Sequence, residues 1–136
     1  MSAVAIQAAM QAALAAMSPA LSTGWPNHPF TPVEGTPYQL ADVLLADPMP
    51  LEMSGAWHRE AGYLALRLCY PLHAGAGAAL TRAELVRTTF KHGTEFSASG
   101  VTVTISNTPQ IKNGEAEDLV FVVPVWVPFY AIIRRS

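Results

Sequence analysis

Residues 118–129 read Asp-Leu-Val-Phe-Val-Val-Pro-Val-Trp-Val-Pro-Phe. In an extended chain Leu119, Phe121, Val123, Val125, Val127 and Phe129 share one face. Val120, Val122, Pro124, Trp126 and Pro128 share the other. Both faces are apolar, so covering one side cannot satisfy this strand. Pro124 and Pro128 lie on the same face and each removes a ladder donor, which points to an edge position. The expectation is that Leu119, Phe121, Val123 and Val125 complete a domain core. The face with Pro124, Trp126 and Pro128 then needs a helix or a neighbouring subunit.

Composition sharpens that need. The chain has 136 residues, which fits one domain spanning 1–136. It is 51% hydrophobic but only 13% charged, against about 25% charged in ordinary soluble domains. So few charges favour a surface partly covered by another protein. The formal net charge of -2 gives no global pull toward nucleic acid or acidic lipid. The charges are unevenly placed. Residues 1–58 hold four acids (Glu34, Asp42, Asp47, Glu52) and no Lys or Arg, whereas residues 59–136 hold six acids and eight bases. This split is suited to head-to-tail contacts between copies.

The rest of the chain reads as α+β. Residues 2–17 form an alanine-rich helix with Ile6, Met10, Leu14 (or Ala13) and Met17 at helical spacing, ended by Ser18-Pro19. It lacks the basic start of a signal peptide, is too short to cross a bilayer, and has no Lys or Arg for a membrane surface. Residues 22–37 form a proline-rich connection pinned by Trp25 and Phe30. Residues 38–45 make a first strand. Residues 63–70 make a second, with Leu64, Leu66, Leu68 and Tyr70 facing the core and Tyr63, Ala65, Arg67 and Cys69 facing away. Residues 75–90 make a second helix whose apolar stripe is Ala76, Leu80, Ala83, Val86 (or the Arg87 stem) and Phe90. Residues 94–98 and 101–106 form a β-hairpin turning at Ser99-Gly100. Residues 107–117 are a polar loop. The expected architecture is a mainly antiparallel sheet covered by two helices.

No candidate for catalysis, cofactor or metal survives inspection. Gly75-Ala76-Gly77 lies between strand and helix, but Leu80 stands where the dinucleotide fingerprint needs its third glycine. Cys69, the only cysteine, has His73 nearby and is placed half exposed near a strand end, with no orienting Asp or Asn. A single cysteine permits no intrachain disulfide and fits a reducing cytoplasm. His28, His58, His73 and His92 have no metal-ligand spacing, and His58 reads as an ordinary partner of Glu60. Glu115, Glu117 and Asp118 cluster without the alternation of a calcium loop. Arg82, Arg87 and Lys91 are too small a basic patch for nucleic acid.

The order of motifs resembles the lambda-type tail terminator-like proteins of long-tailed bacteriophages. The resemblance is carried by the first helix with Ile6 and Leu14, then Trp25-Pro26-Asn27, Phe30, Pro32 and Pro37-Tyr38. Gly62-Tyr63-Leu64, the Gly75/Gly77 turn, Phe90 through Phe96, Gly100-Val101, Val103, Ile105 and Pro109 follow, and 123–129 close it. The resemblance implies a virion structural protein with no catalysis. It would form a homo-oligomeric, hexameric ring on the head-proximal end of the tail tube. Its implied partners are the tail tube protein and a head-completion or connector protein, with assembly in the host cytoplasm. No tube-binding residue carries over. The residues expected at a subunit interface are Trp126, Pro128 and Tyr130. Two other readings are another neck protein and a small monomeric adaptor that binds a partner at an exposed sheet edge.

Overall fold

In the computed structural model, residues 2–17, 21–26, 29–32, 35–46, 49–50, 57–72, 75–117 and 120–134 are described. The elements in chain order are α1 (Ser2–Ala15), β1 (Ser22–Gly24), β2 (Tyr38–Leu45), β3 (Met49–Pro50), β4 (Trp57–Pro71) and α2 (Gly77–Thr89). They continue with β5 (Glu95–Ala98), β6 (Val101–Ile105), β7 (Gln110–Ile111), β8 (Glu115–Glu117) and β9 (Val120–Arg134). The strands form one sheet in the order β1-β2-β4-β9-β6-β5, with β3 on β4 and both β7 and β8 on β9. The class is α+β with two helices, and the sheet is mixed. β1 runs parallel to β2, and the other pairs are antiparallel.

The spine is the pairing of β4 with β9, each 15 residues long and matched from Trp57↔Arg134 to Pro71↔Val120. One face of this pair carries Leu64, Leu66, Leu68, Val123, Val125, Val127 and Phe129, all buried. α2 lies on β4 and β9, and α1 on β5 and β6. Together they close the core from that side. On α1 the buried residues are Ala5, Ile6, Ala9, Met10, Ala13 and Leu14, with Met17 just beyond. That spacing keeps a small residue beside each large one, so the helix can approach the sheet closely.

α2 departs from the expected stripe. Ala79, Arg82, Ala83, Val86 and Phe90 are buried, whereas Ala76 is exposed and Leu80 is 45% exposed. Steps of 4, 3 and 4 from Ala79 to Phe90 stay on one stripe, and Leu80 lies about 100° off it. The two alanines let the helix settle on β4 and β9, which turns Leu80 outward. Arg82 lies beside Tyr70, and burial pulls its guanidinium pKa down against a smaller opposing effect of Tyr70.

The hairpin of β5 and β6 turns at Ser99 (φ 51°) and Gly100 (φ 78°). Two successive left-handed residues are the geometry a two-residue hairpin loop requires. Gly62 has a different reason. A Cβ there would run into the Leu44 carbonyl oxygen of β2, so only glycine allows β2 and β4 to come this close.

β9 is not an edge strand. β4 pairs with one side of it, and β8, β7 and β6 pair in succession with the other. The prolines fall in the gaps between those short partners. Pro124 lies between the β8 and β7 pairings, and Pro128 between the β7 and β6 pairings. Their carbonyls accept from the Lys112 N–H (2.8 Å) and the Ser106 N–H (3.1 Å). A strand residue directs its N–H and C=O to the same side. The donors that proline lacks would therefore have pointed into these gaps, and the ladder to β4 loses nothing. Residues 107–117, expected as a loop, supply β7 and β8. Their pairing depends on β9 and leaves no alternation of their own to read. Leu119 and Asp118 lie outside the described residues.

Candidate assembly surface

The face of the sheet away from the helices is built from β2, β4 and β9. Cross-strand register sets its rows: Leu44, Tyr63 and Pro128 align across three strands, as do Leu40, Arg67 and Pro124. The expected interface residues Trp126, Pro128 and Tyr130 all lie on this face at alternate positions of β9, each half-buried. α2 reaches Trp126 and Pro128 through Arg87, which lines a recess with them and covers little of their surface. Flat side-chain contacts cover them in part. The Tyr63 ring lies 5.3 Å from the Trp126 ring at 55°, and Lys112 Nζ lies 5.0 Å from the Trp126 centroid. The Arg59 guanidinium lies 4.6 Å from the Tyr130 centroid. Each cation–ring contact contributes on the order of 0.5–1 kcal/mol at such sites.

Coverage of this face changes along the strands. Toward the end of β4, Cys69 and Val122 are each 2% exposed. Here Tyr38 stands opposite Cys69, with Phe30 from the proline-rich connection 5.7 Å from the Tyr38 ring. The Arg67 Nη2 group donates to Glu117 Oε2 at 2.6 Å, tying β4 to β8 across β9. Glu117 holds the Arg67 pKa above its ordinary value, yet the pair is about half exposed on both sides and adds little stability. Toward the other end the face opens. Leu44, Tyr63 and Ile132 are each more than 40% exposed. Two shallow recesses lie along this face, the first toward its covered end and the second beside Tyr63. One, of about 520 Å³, has Trp25, Phe30, Tyr38 and Leu40 in its lining. The other, of about 490 Å³, is lined by Tyr63, Arg87, Trp126, Pro128 and the 106–110 segment.

The candidates for chemistry are not brought together. Cys69 is buried rather than half exposed. Burial pushes its thiol pKa up, against smaller effects of Tyr38 and Arg67 and in the same direction as Glu117. A thiol so placed is a poor nucleophile. His73 and His28 lie outside the described residues, and His92 is exposed. His58 Nε2 and Glu60 Oε1 pair at 3.2 Å, as expected of ordinary neighbours. Among the described residues no three His, Cys, Asp or Glu groups are placed to hold a metal ion, and no helix is long and apolar enough to cross a membrane. Sequence reasoning set Tyr63 on this face but missed Arg59 and Lys112. Arg59 acts through cross-strand register and Lys112 sits just after the two-residue β7, and a single strand's pattern displays neither.

A family model described as phage tail terminator protein matches residues 5–129. The chain belongs to the phage tail terminator family. Membership gives it a structural role in the phage tail. No curated protein matches the chain. Nine chains of solved structures do. One aligns over 100% of this chain and 99% of its own length at 23% identity, with a TM-score of 0.80. At that identity the likeness concerns the fold alone, and it spans every element described above. The family match also covers the stretch of β9 that carries Trp126 and Pro128.

Proposed function

We propose that the protein forms a hexameric ring on the head-proximal end of the tail tube. There it stops tube polymerisation and offers the surface that joins the head connector. Assembly takes place in the host cytoplasm. The family match over residues 5–129 carries this reading. The open part of the outer face supports it physically: an apolar, half-covered surface bearing Trp126, Pro128 and Tyr130 is material for contacts between subunits. A ring requires unlike surfaces to meet and the rotation to close.

Electron microscopy of the purified protein, alone and mixed with purified tail tubes, tests the reading. Rings in solution, or caps at one end of tubes that then stop growing, are expected. A protein that stays monomeric and leaves tubes uncapped and growing overturns it.

A further inference from the structure

β7 and β8 run along the same side of β9, and their registers do not agree. β7 places Gln110 opposite Trp126 and Ile111 opposite Val125. The Lys112 N–H continues that register by donating to the Pro124 carbonyl. β8 resumes with Glu115 opposite Val122. Asn113 and Gly114 therefore stand together opposite Val123. Two residues against one make a β-bulge, and the extra residue reverses the alternation beyond it. The reversal brings Glu117 to the outer face, where it meets Arg67.

Packing explains the glycine of this bulge. A Cβ on Gly114 would run into the Phe121 ring, and its φ is not left-handed. The fold thereby sets a glycine directly after Asn113, and that dipeptide has a reactivity of its own. Asparagine is among the thermolabile residues. The backbone nitrogen of its successor can attack the side-chain carbonyl carbon to close a five-membered ring, and glycine crowds this approach least. Asn113 and Gly114 are both exposed and belong to no strand. Among the described residues no hydrogen bond holds the Asn113 amide or the Gly114 N–H. Asn107 is the internal contrast. It is exposed as well, but its Oδ1 accepts from the Thr108 N–H at 2.8 Å, and the β-branched Thr108 crowds the nitrogen.

We propose that Asn113 is a site of spontaneous deamidation in the folded protein, and that one of its products releases β8 from β9. The Gly114 nitrogen forms a bond to Asn113 Cγ, and the bond from Cγ to Nδ2 breaks. The proton lost by Gly114 passes through water to the leaving nitrogen, which departs as ammonia. Water then opens the cyclic imide at one of its two carbonyls. One opening gives an ordinary aspartate, which adds a carboxylate beside Lys112 and leaves the chain its length. The other gives an isoaspartyl linkage, whose main chain runs through the side-chain carbon and is one atom longer. The bulge is fixed at both ends, by the hydrogen bond of Lys112 to Pro124 and by Gly114 against Phe121. β8 is three residues long and exposed throughout. The added length is accommodated by β8 leaving β9, and the Arg67 tie to Glu117 is lost with it.

The full-length protein is aged under native conditions at mildly alkaline pH, with urea-unfolded protein in parallel, and its peptides are read by mass spectrometry. The native peptide holding Asn113 is expected to gain one mass unit and split into two chromatographic peaks, well before the peptide holding Asn107 changes. Asn113→Gln would need a larger ring, and its peptide should stay as it is. A change at Asn113 confined to unfolded protein, or no faster than at Asn107 in native protein, overturns the site. Hydrogen exchange over residues 115–117 tests the consequence. Protection should be lost in the isoaspartyl fraction and kept in fresh protein and in Asn113→Asp, which carries the charge at normal chain length. Equal protection in all three overturns the release of β8. Loss in Asn113→Asp as well assigns the release to charge and overturns the role of chain length.

Discussion

The two faces of β9 are made from similar residues and have different fates. Toward the helices, Val123, Val125, Val127 and Phe129 are each at most 1% exposed. Toward the other side, Pro124, Trp126, Pro128 and Tyr130 remain half-buried beneath Tyr63, Lys112 and Arg59. Hydrophobicity alone does not separate these faces, since Trp126 carries more apolar area than any valine opposite it. The difference is in what the chain supplies as cover. Two helices close the inner face into a packed core. The outer face receives only rings and aliphatic stems laid flat. The inner face is therefore a matter of folding, and the outer face keeps apolar area exposed that the proposed ring would use.

The largest break in this comparison would come from the inner face. Phe129→Ala removes a ring from the centre of the core and should cost about 3–5 kcal/mol. That is a large share of the roughly 5–15 kcal/mol that holds a domain together. Urea unfolding should show a much lower midpoint or no folded baseline. If the variant lost less than about 1 kcal/mol, the inner face would not be the packed side.

Trp126→Asp probes the outer face with a harsher chemical change and a smaller expected effect on the fold. The monomer should lose about 1–2 kcal/mol, from partial burial and the stacked Tyr63 and Lys112. Association should suffer far more, because a carboxylate would have to be desolvated at the contact. Scattering and urea unfolding together separate the two. An unfolded or insoluble variant would place Trp126 in the core and erase the distinction between faces.

How far the sequence displays all this depends on which interactions are local. The two helices, β2 and the Ser99-Gly100 turn are written in spacing and turn chemistry. The two faces of β9 are also visible, because alternation assigns them without knowing the partners. The position of β9 in the sheet is not. Pro124 and Pro128 look like marks of an edge, since a missing donor is costly wherever a continuous partner strand runs. Here the partner side is three short strands with gaps at those residues. β7 and β8 are too short to carry a pattern, and Glu115, Ala116 and Glu117 are exposed throughout. The α2 stripe misleads for a related reason. Leu80 is the more hydrophobic choice, but close helix–sheet approach favours the alanines. The surface residues found from sequence, Trp126, Pro128 and Tyr130, share a strand. Those missed reach it from elsewhere, Arg59 from β4 and Lys112 from the segment after β7.

The prolines give a finer test. Pro128→Ala restores an N–H that points into the gap between β7 and β6, where no ladder bond is waiting. It also frees the unfolded chain. The expected result is a loss of about 0.4–1 kcal/mol, arising through the unfolded state. Thermal unfolding should show a small decrease in midpoint with assembly retained. A clear gain in stability would mean that the restored donor finds a partner, and that the break in the ladder is not built into the fold.

The smallest effect concerns Cys69, which sharpens the comparison because it belongs to the outer face by register yet is buried. Tyr38 and Val122 flank it across the sheet. Its thiol pKa is raised from the ordinary 9.0, first of all by burial. The sign follows from linkage. The folded state favours the protonated thiol, so this contribution is complete below pH 9.0 and is lost as pH rises through the higher folded-state value. Tyr70 is also raised by burial, from 10.0, and acts in the same direction at somewhat higher pH. Cys69→Ala should therefore flatten the fall in stability just above pH 9.0 and leave the later, Tyr70-dependent fall in place. The native thiol should also react slowly with a disulfide reagent at pH 8 and at the free-thiol rate after unfolding. Fast reaction in the native state would mean that the outer face is open along its whole length. The surface available for assembly would then extend past Tyr63 and Trp126 to Tyr38, and the proline-rich connection would no longer mark its boundary.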